Sequence, residues 1–85
     1  MTNQTPLNKS PFHLIYSTKR NQFLRDWEGT GKWTDFIRMS FDFGYGYYST
    51  DPEEQSSKLL KNFSEKFPDE GIEVRTFQLQ YVEIN

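Results

Sequence analysis

Cysteine is absent from this 85-residue chain. That excludes disulfide bonds, thiolate nucleophiles and cysteine-based zinc or iron–sulfur centres, and it suits a reducing compartment. Histidine occurs once, at His13. A lone imidazole inside an apolar run reads as structural, because a zinc site needs further ligands at set spacings and none accompany it. Long apolar runs are missing as well. No segment approaches the roughly 20 residues that span a bilayer, and the polar residues 1–11, with Pro6 and Pro11, hold no leader-like core. A cytoplasmic location and no membrane partner are therefore expected. Phosphate loops, dinucleotide fingerprints and nucleophile elbows are equally absent. With no metal-ligand spacing either, the reading is a chain without cofactor or metal that is not an enzyme. Asp42, between Phe41 and Phe43, is the one carboxylate set among rings; its position puts it on the solvent side of a strand. A catalyst built on Asp42 or His13 would need a cleft at one of them.

Aromatic residues are abundant: eight Phe, five Tyr and two Trp. Rings bury large areas and compensate for few aliphatic side chains in a short chain. They are also favoured at binding surfaces. Charge is unevenly spread. Residues 1–47 carry six basic and four acidic side chains, and residues 48–85 carry four basic and eight acidic, balances of +2 and −4. A mildly acidic chain does not attract nucleic acid non-specifically, but such polarity can orient a protein partner.

The order of elements follows from periodicity. Residues 1–11 read as a flexible tail and residues 12–85 as one domain. Residues 12–16, Phe-His-Leu-Ile-Tyr, are a run of strand formers. The stretch 17–34 admits two readings, a short helix carrying Phe23, Leu24 and Trp27, or a strand over 22–27 turned back by Glu28-Gly29-Thr30-Gly31. The hairpin is preferred, because it places Trp27 and Trp33 on either side of the turn. From 35 to 48, Ile37, Met39, Phe41, Phe43, Tyr45 and Tyr47 alternate with Arg38, Ser40, Asp42, Gly44, Gly46 and Tyr48. A period of two over that length predicts a long half-buried strand. Thr50 with Glu53, or Asp51 with Glu54, makes a capping box, and Pro52 fits the first helical turn. Ser56, Leu59, Leu60, Phe63 and Phe67 recur at helical spacing before Pro68, so a helix is predicted over 52–67. Residues 72–84 predict a last strand. The expected fold class is α+β: an antiparallel sheet of three to four strands (12–16, 22–27, 35–48, 72–84) with the helix packed on one face.

Residues 41–48, Phe-Asp-Phe-Gly-Tyr-Gly-Tyr-Tyr, resemble the RNP1 strand of RNA-recognition domains, in which a glycine-flanked aromatic pair stacks bases. Phe41 and Asp42 stand where that motif has a basic residue and a glycine. The resemblance implies single-stranded RNA or DNA binding through Phe43, Tyr45 and Tyr47, with Arg38 nearby. Lys19, Arg20 and Arg25 lie close in sequence to Trp27 and Trp33, a combination that can hold a carboxylate or phosphate. The leading expectation is a non-catalytic protein–protein interaction module, acting as adaptor, accessory subunit or stoichiometric inhibitor. Its candidate binding residues are Trp27, Trp33, Arg25, Arg38, Tyr45, Tyr47 and Tyr48. The expected partner is another protein or a second copy of this chain, with nucleic acid as the alternative.

Overall fold

The computed structural model describes residues 7–8, 11–26, 31–44, 46–78 and 80–81. In chain order its elements are β1 (Leu7–Asn8), β2 (Phe12–Ser17), β3 (Gln22–Asp26), β4 (Lys32–Thr34), a 3-10 turn (Ile37–Met39), α1 (Pro52–Lys66), β5 (Ile72–Phe77) and β6 (Gln80–Tyr81). Four strands form one antiparallel sheet in the order β4-β3-β2-β5, and β1 pairs separately with β6. Helix α1 packs against β5 and β2. The expected α+β architecture, one helix laid on an antiparallel sheet, is what the chain adopts.

β2 is the centre of the sheet. It pairs with β5 along its whole length, from Phe12 opposite Phe77 to Ser17 opposite Ile72, and with β3 at Tyr16–Phe23 and Ser17–Gln22. Ile15 faces α1, whereas Leu14 is buried on the other side. A strand covered on both faces takes an unbroken apolar run rather than an alternating one, which accounts for the composition of residues 12–16. The four-residue turn into β3 closes with Asn21 N–H donating to the Ser17 carbonyl at 2.8 Å, and Asn21 accepts the left-handed φ of 56° that the turn requires. β3 then pairs with β4, with Leu24 opposite Trp33 and a bulge before Asp26. The hairpin reading of the 17–34 stretch therefore holds, with β3 ending at Asp26; Trp27 and residues 28–30 lie outside the described residues.

The long strand expected over 35–48 does not form. Phe43 alone makes a bridge, exchanging backbone hydrogen bonds with His13 at 3.0 and 2.9 Å. Phe41 N–H donates to the Leu24 carbonyl at 2.9 Å. Alternation selects a strand only where a second strand supplies the ladder. One flank of β2 is filled by β5, and the other is shared between β3 and Phe43, so β2 has no flank left for a strand of that length. The flanking residues bond locally instead. Met39 and Ser40 N–H groups donate to the Phe36 and Ile37 carbonyls, and Gly46, at φ 80°, turns the chain where an extended residue would continue it. The final strand is also shorter than 72–84: β5 stops at Phe77 and Gln80–Tyr81 belong to the second sheet, with Leu79 and residues 82–84 outside the described residues.

α1 begins where its capping chemistry says it should. Asp51 is the N-cap and its Oδ1 accepts the Glu53 N–H at 3.3 Å, with Pro52 first in the helix. Leu59 and Phe63 enter a core completed by Ile15, Leu24 and Phe43, with Trp33, Phe41, Phe67, Ile72 and Val74 packed around it. Leu60, assigned to the same stripe by spacing, is exposed, and Gln55 is buried in its stead. Gln55 lies on the same row of the helix as Leu59 and Phe63, and there its amide hydrogen-bonds the backbone of Gly44 and Tyr48. Beyond α1, Gly71 adopts φ 64°, and a side chain there would collide with the Thr18 hydroxyl, which donates to the Gly71 carbonyl at 2.8 Å.

Candidate functional site

Three groupings of side chains and a ladder of rings stand out. The first is an apolar ridge after β4. Phe36, Ile37 and Met39 are exposed by 67, 46 and 47%, three large apolar side chains within four residues. Their backbone is held by the 3-10 turn and by the Ser40 hydroxyl, which donates to the Phe36 carbonyl at 3.0 Å. The Phe36 N–H donates to Thr34 Oγ1 at 3.1 Å, anchoring the ridge to β4. A local turn of this kind presents neighbouring side chains outward, where a strand would have turned half of them inward. Arg38 lies within the ridge and is exposed.

Farther along the chain a ladder of rings climbs out of the core. Phe63 meets fully buried Phe43 at 5.3 Å between centroids; Phe43 meets Tyr47 edge-on at 4.9 Å; Tyr47 meets Tyr48 edge-on at 4.8 Å. Tyr47 and Tyr48 are 49 and 40% exposed. Their backbone is positioned by Gln55, whose Oε1 accepts from Tyr48 N–H at 3.0 Å while its Nε2 donates to the Gly44 carbonyl at 2.8 Å. The RNP1-like strand expected at 41–48 is thus replaced by a looped segment, and its Phe43 faces the helix as core. Tyr45 lies outside the described residues.

The second grouping is polar. The Ser17 hydroxyl lies 2.8 Å from Glu70 Oε1 and 3.0 Å from the Glu70 carbonyl, and can donate its one proton to either. Arg20 Nε donates to the same Glu70 oxygen at 2.8 Å. The Arg20 guanidinium holds the Glu70 carboxyl below the usual carboxylate range against burial, which raises it; the Ser17 hydroxyl adds to the lowering. Arg20 also lies 5.5 Å from the Trp33 ring centroid, and Trp33 packs edge-on against Phe67 at 5.4 Å. The carboxylate that a basic–aromatic cluster can hold is here supplied by the chain itself. This arrangement pins the β2–β3 turn to the end of α1; Ser17 is fully buried and offers no nucleophile.

The third grouping surrounds His13. An open cleft of about 380 Å³ is lined by His13 and Thr76 from the sheet and by Pro52, Glu53 and Ser56 from α1. His13 Nδ1 bonds Thr76 Oγ1 at 2.8 Å, and burial pushes its imidazole below the ordinary histidine value. No hydrogen bond joins His13 to Ser56, so no nucleophile–base pair is assembled there. Asp42 is exposed.

Of the residues singled out by sequence, Tyr47 and Tyr48 are brought together and Arg38 joins the ridge. Arg25 is exposed on β3 and Trp33 is half-buried, its ring engaged with the core; Trp27 is not among the described residues. Phe36 was not a sequence candidate. Its signal was present: Phe36 and Ile37 are adjacent, and one strand cannot turn both to a single core face. Among the described residues no group of three or more potential ligands could hold a metal ion, and no helix is long and apolar enough to cross a membrane. Comparisons with protein-family models, with curated proteins and with solved structures gave no match.

Proposed function

We propose that this chain is a non-catalytic protein-interaction module that docks a partner protein on the ridge Phe36-Ile37-Met39, with Tyr47 and Tyr48 as further contact rings. The observation that carries the reading is the exposure of three large apolar side chains in four residues on a hydrogen-bonded turn. Contiguous apolar side chains left in water on a structured segment mark interaction surfaces, and aromatic residues, Met and Arg are the types enriched in them. Arg38, in the middle of the ridge, favours a partner whose apolar groove is edged by carboxylates. Single-stranded nucleic-acid binding is less well supported, because Phe43 is committed to the core and leaves Tyr47 and Tyr48 without a flat strand beneath them.

The test combines light scattering of the purified chain with saturable capture of a partner, comparing wild type with the double variant Phe36→Ser, Met39→Ser. Both positions are exposed, so circular dichroism should be unchanged. A discrete complex, with a second copy or with another protein, that weakens at least about tenfold in the variant supports the proposal, since interface anchors cost more than ~1 kcal/mol when truncated. A monomer with no saturable partner, or a complex that ignores the substitutions, overturns it.

A further inference from the structure

We infer that the cleft between the sheet and the first turn of α1 is a binding site for a primary alkylammonium group, held by His13 and Glu53. His13 is held from both sides. Its backbone pairs with Thr76 on one flank and Phe43 on the other, and its side chain, on the same face of β2 as Ile15, points toward α1. The residue is 1% exposed, and its Nε2 has no hydrogen-bond partner among the described residues. Buried polar atoms are nearly always paired, so one that is not calls for a specific reason. The ring cannot relieve this by rotating without breaking the 2.8 Å bond from Nδ1 to Thr76 Oγ1. Thr76 and His13 both line the cleft.

The lining selects the ligand. Among the described residues its carboxylate is Glu53, and no Lys or Arg lines it. A helix N-terminus ordinarily attracts anions through free N–H groups, but this one has few to offer. Pro52 has none, and the Glu53 N–H is taken by Asp51 Oδ1. A hydrogen-bond donor of positive charge therefore fits better than an anion. The Thr76 hydroxyl can accept from Nδ1–H as well as donate to Nδ1; in the tautomer that an ammonium selects, Nδ1–H donates to Thr76, Nε2 presents a lone pair, and one ammonium can donate to it and to the Glu53 carboxylate. Burial keeps the imidazole neutral near pH 7, so the ring does not repel a cation. The apolar stem of the ligand lies against Pro52. A cleft of about 380 Å³ is near the small end for ligand sites and admits a few heavy atoms. Two sources share this chemistry, a free small amine and a lysine side chain of a partner.

Because His13 is the sole histidine, its imidazole resonances are unambiguous in NMR. The full chain is titrated at neutral pH and low salt with n-butylammonium chloride, with n-butanol, and with a short acetylated, amidated peptide holding one lysine. Saturable movement of the His13 ring signals by butylammonium but not by butanol is the expected result. Glu53→Gln, an exposed change that leaves the fold intact, should weaken binding by about two- to fivefold. Movement by butylammonium but not by the peptide assigns a free-amine site, and movement by the peptide as well assigns a partner's lysine. Ring signals that stay still in all three titrations, that follow butanol as well as butylammonium, or that respond equally in Glu53→Gln overturn the proposal. Phe36 and Met39 do not line the cleft, so this result is independent of the ridge.

Discussion

Gln55 sits on the buried side of α1 and its amide reaches across to backbone it does not belong to. Oε1 accepts from Tyr48 N–H at 3.0 Å and lies 3.5 Å from the Ser49 nitrogen; Nε2 donates to the Gly44 carbonyl at 2.8 Å. One side chain therefore replaces the ladder that a strand at 44–49 would have had. Gln55→Leu keeps the volume and removes every one of these bonds. It should cost about 1–3 kcal/mol, the range for leaving backbone groups without their buried partner. Chemical denaturation reads that loss, and hydrogen exchange should accelerate most at Tyr48. Helical spacing puts Gln55 on the row of Leu59 and Phe63, but its polarity hides it, because a glutamine in the first turns of a helix is ordinarily an exposed residue. Its role depends on which loop the fold lays over it.

Among the elements, α1 owes its start to local chemistry and its place to packing. Asp51→Ala removes the side-chain acceptor of the Glu53 N–H and should destabilise the protein by about 1 kcal/mol, whereas Asp51→Asn should be nearly silent. Denaturant midpoints of the two variants make the comparison. The β2–β3 hairpin shows the same division. Its turn follows from residues 18–21, but its position relative to α1 is set by the Ser17–Glu70–Arg20 cluster, whose members are 53 and 50 residues apart in sequence. That cluster was not legible beforehand, since Asp69-Glu70 after Pro68 reads as an ordinary turn. The ring ladder Phe63–Phe43–Tyr47–Tyr48 belongs here too: two of its rings are core and two are surface, and alternation along the chain could not say which.

For the molecule as a whole, the titrating groups divide acid sensitivity into two windows. Glu70 is held low chiefly by Arg20, and Glu54 chiefly by Lys58. A carboxyl with a native pKa below its unfolded value adds stability above that value, and the contribution is lost as pH falls through and below about 4.5. His13 works from the other side. Its native pKa lies below 6.5 because burial disfavours the charged ring, so the unfolded chain takes up the proton first and stability falls as pH drops below about 6.5. Stability measured by urea unfolding should therefore decline in two stages on acidification. Arg20→Gln should flatten the lower stage and leave the upper one; a curve without any decline between about pH 6.5 and 5 would contradict the buried neutral histidine.

Local chemistry was enough for some of this architecture. The Asp51 cap, Pro52, the 59–63 spacing and Pro68 delimit a helix with no reference to the remainder of the chain, and the apolar run 12–16 announces a strand, because both signals act over a few neighbouring residues. The fate of 35–48 was a tertiary decision. Its alternating residues satisfy a strand equally well on paper, but a strand exists only beside another, and β5, β3 and Phe43 between them leave β2 no free flank for it. The ridge at Phe36-Ile37-Met39 and the cleft at His13 both arise from that outcome. The first is what remains exposed when the strand does not form, and the second lies where Phe43 fixes His13 against Thr76 beneath the start of α1. The residues were visible in the sequence; which of them face water depended on which backbone groups had already found partners.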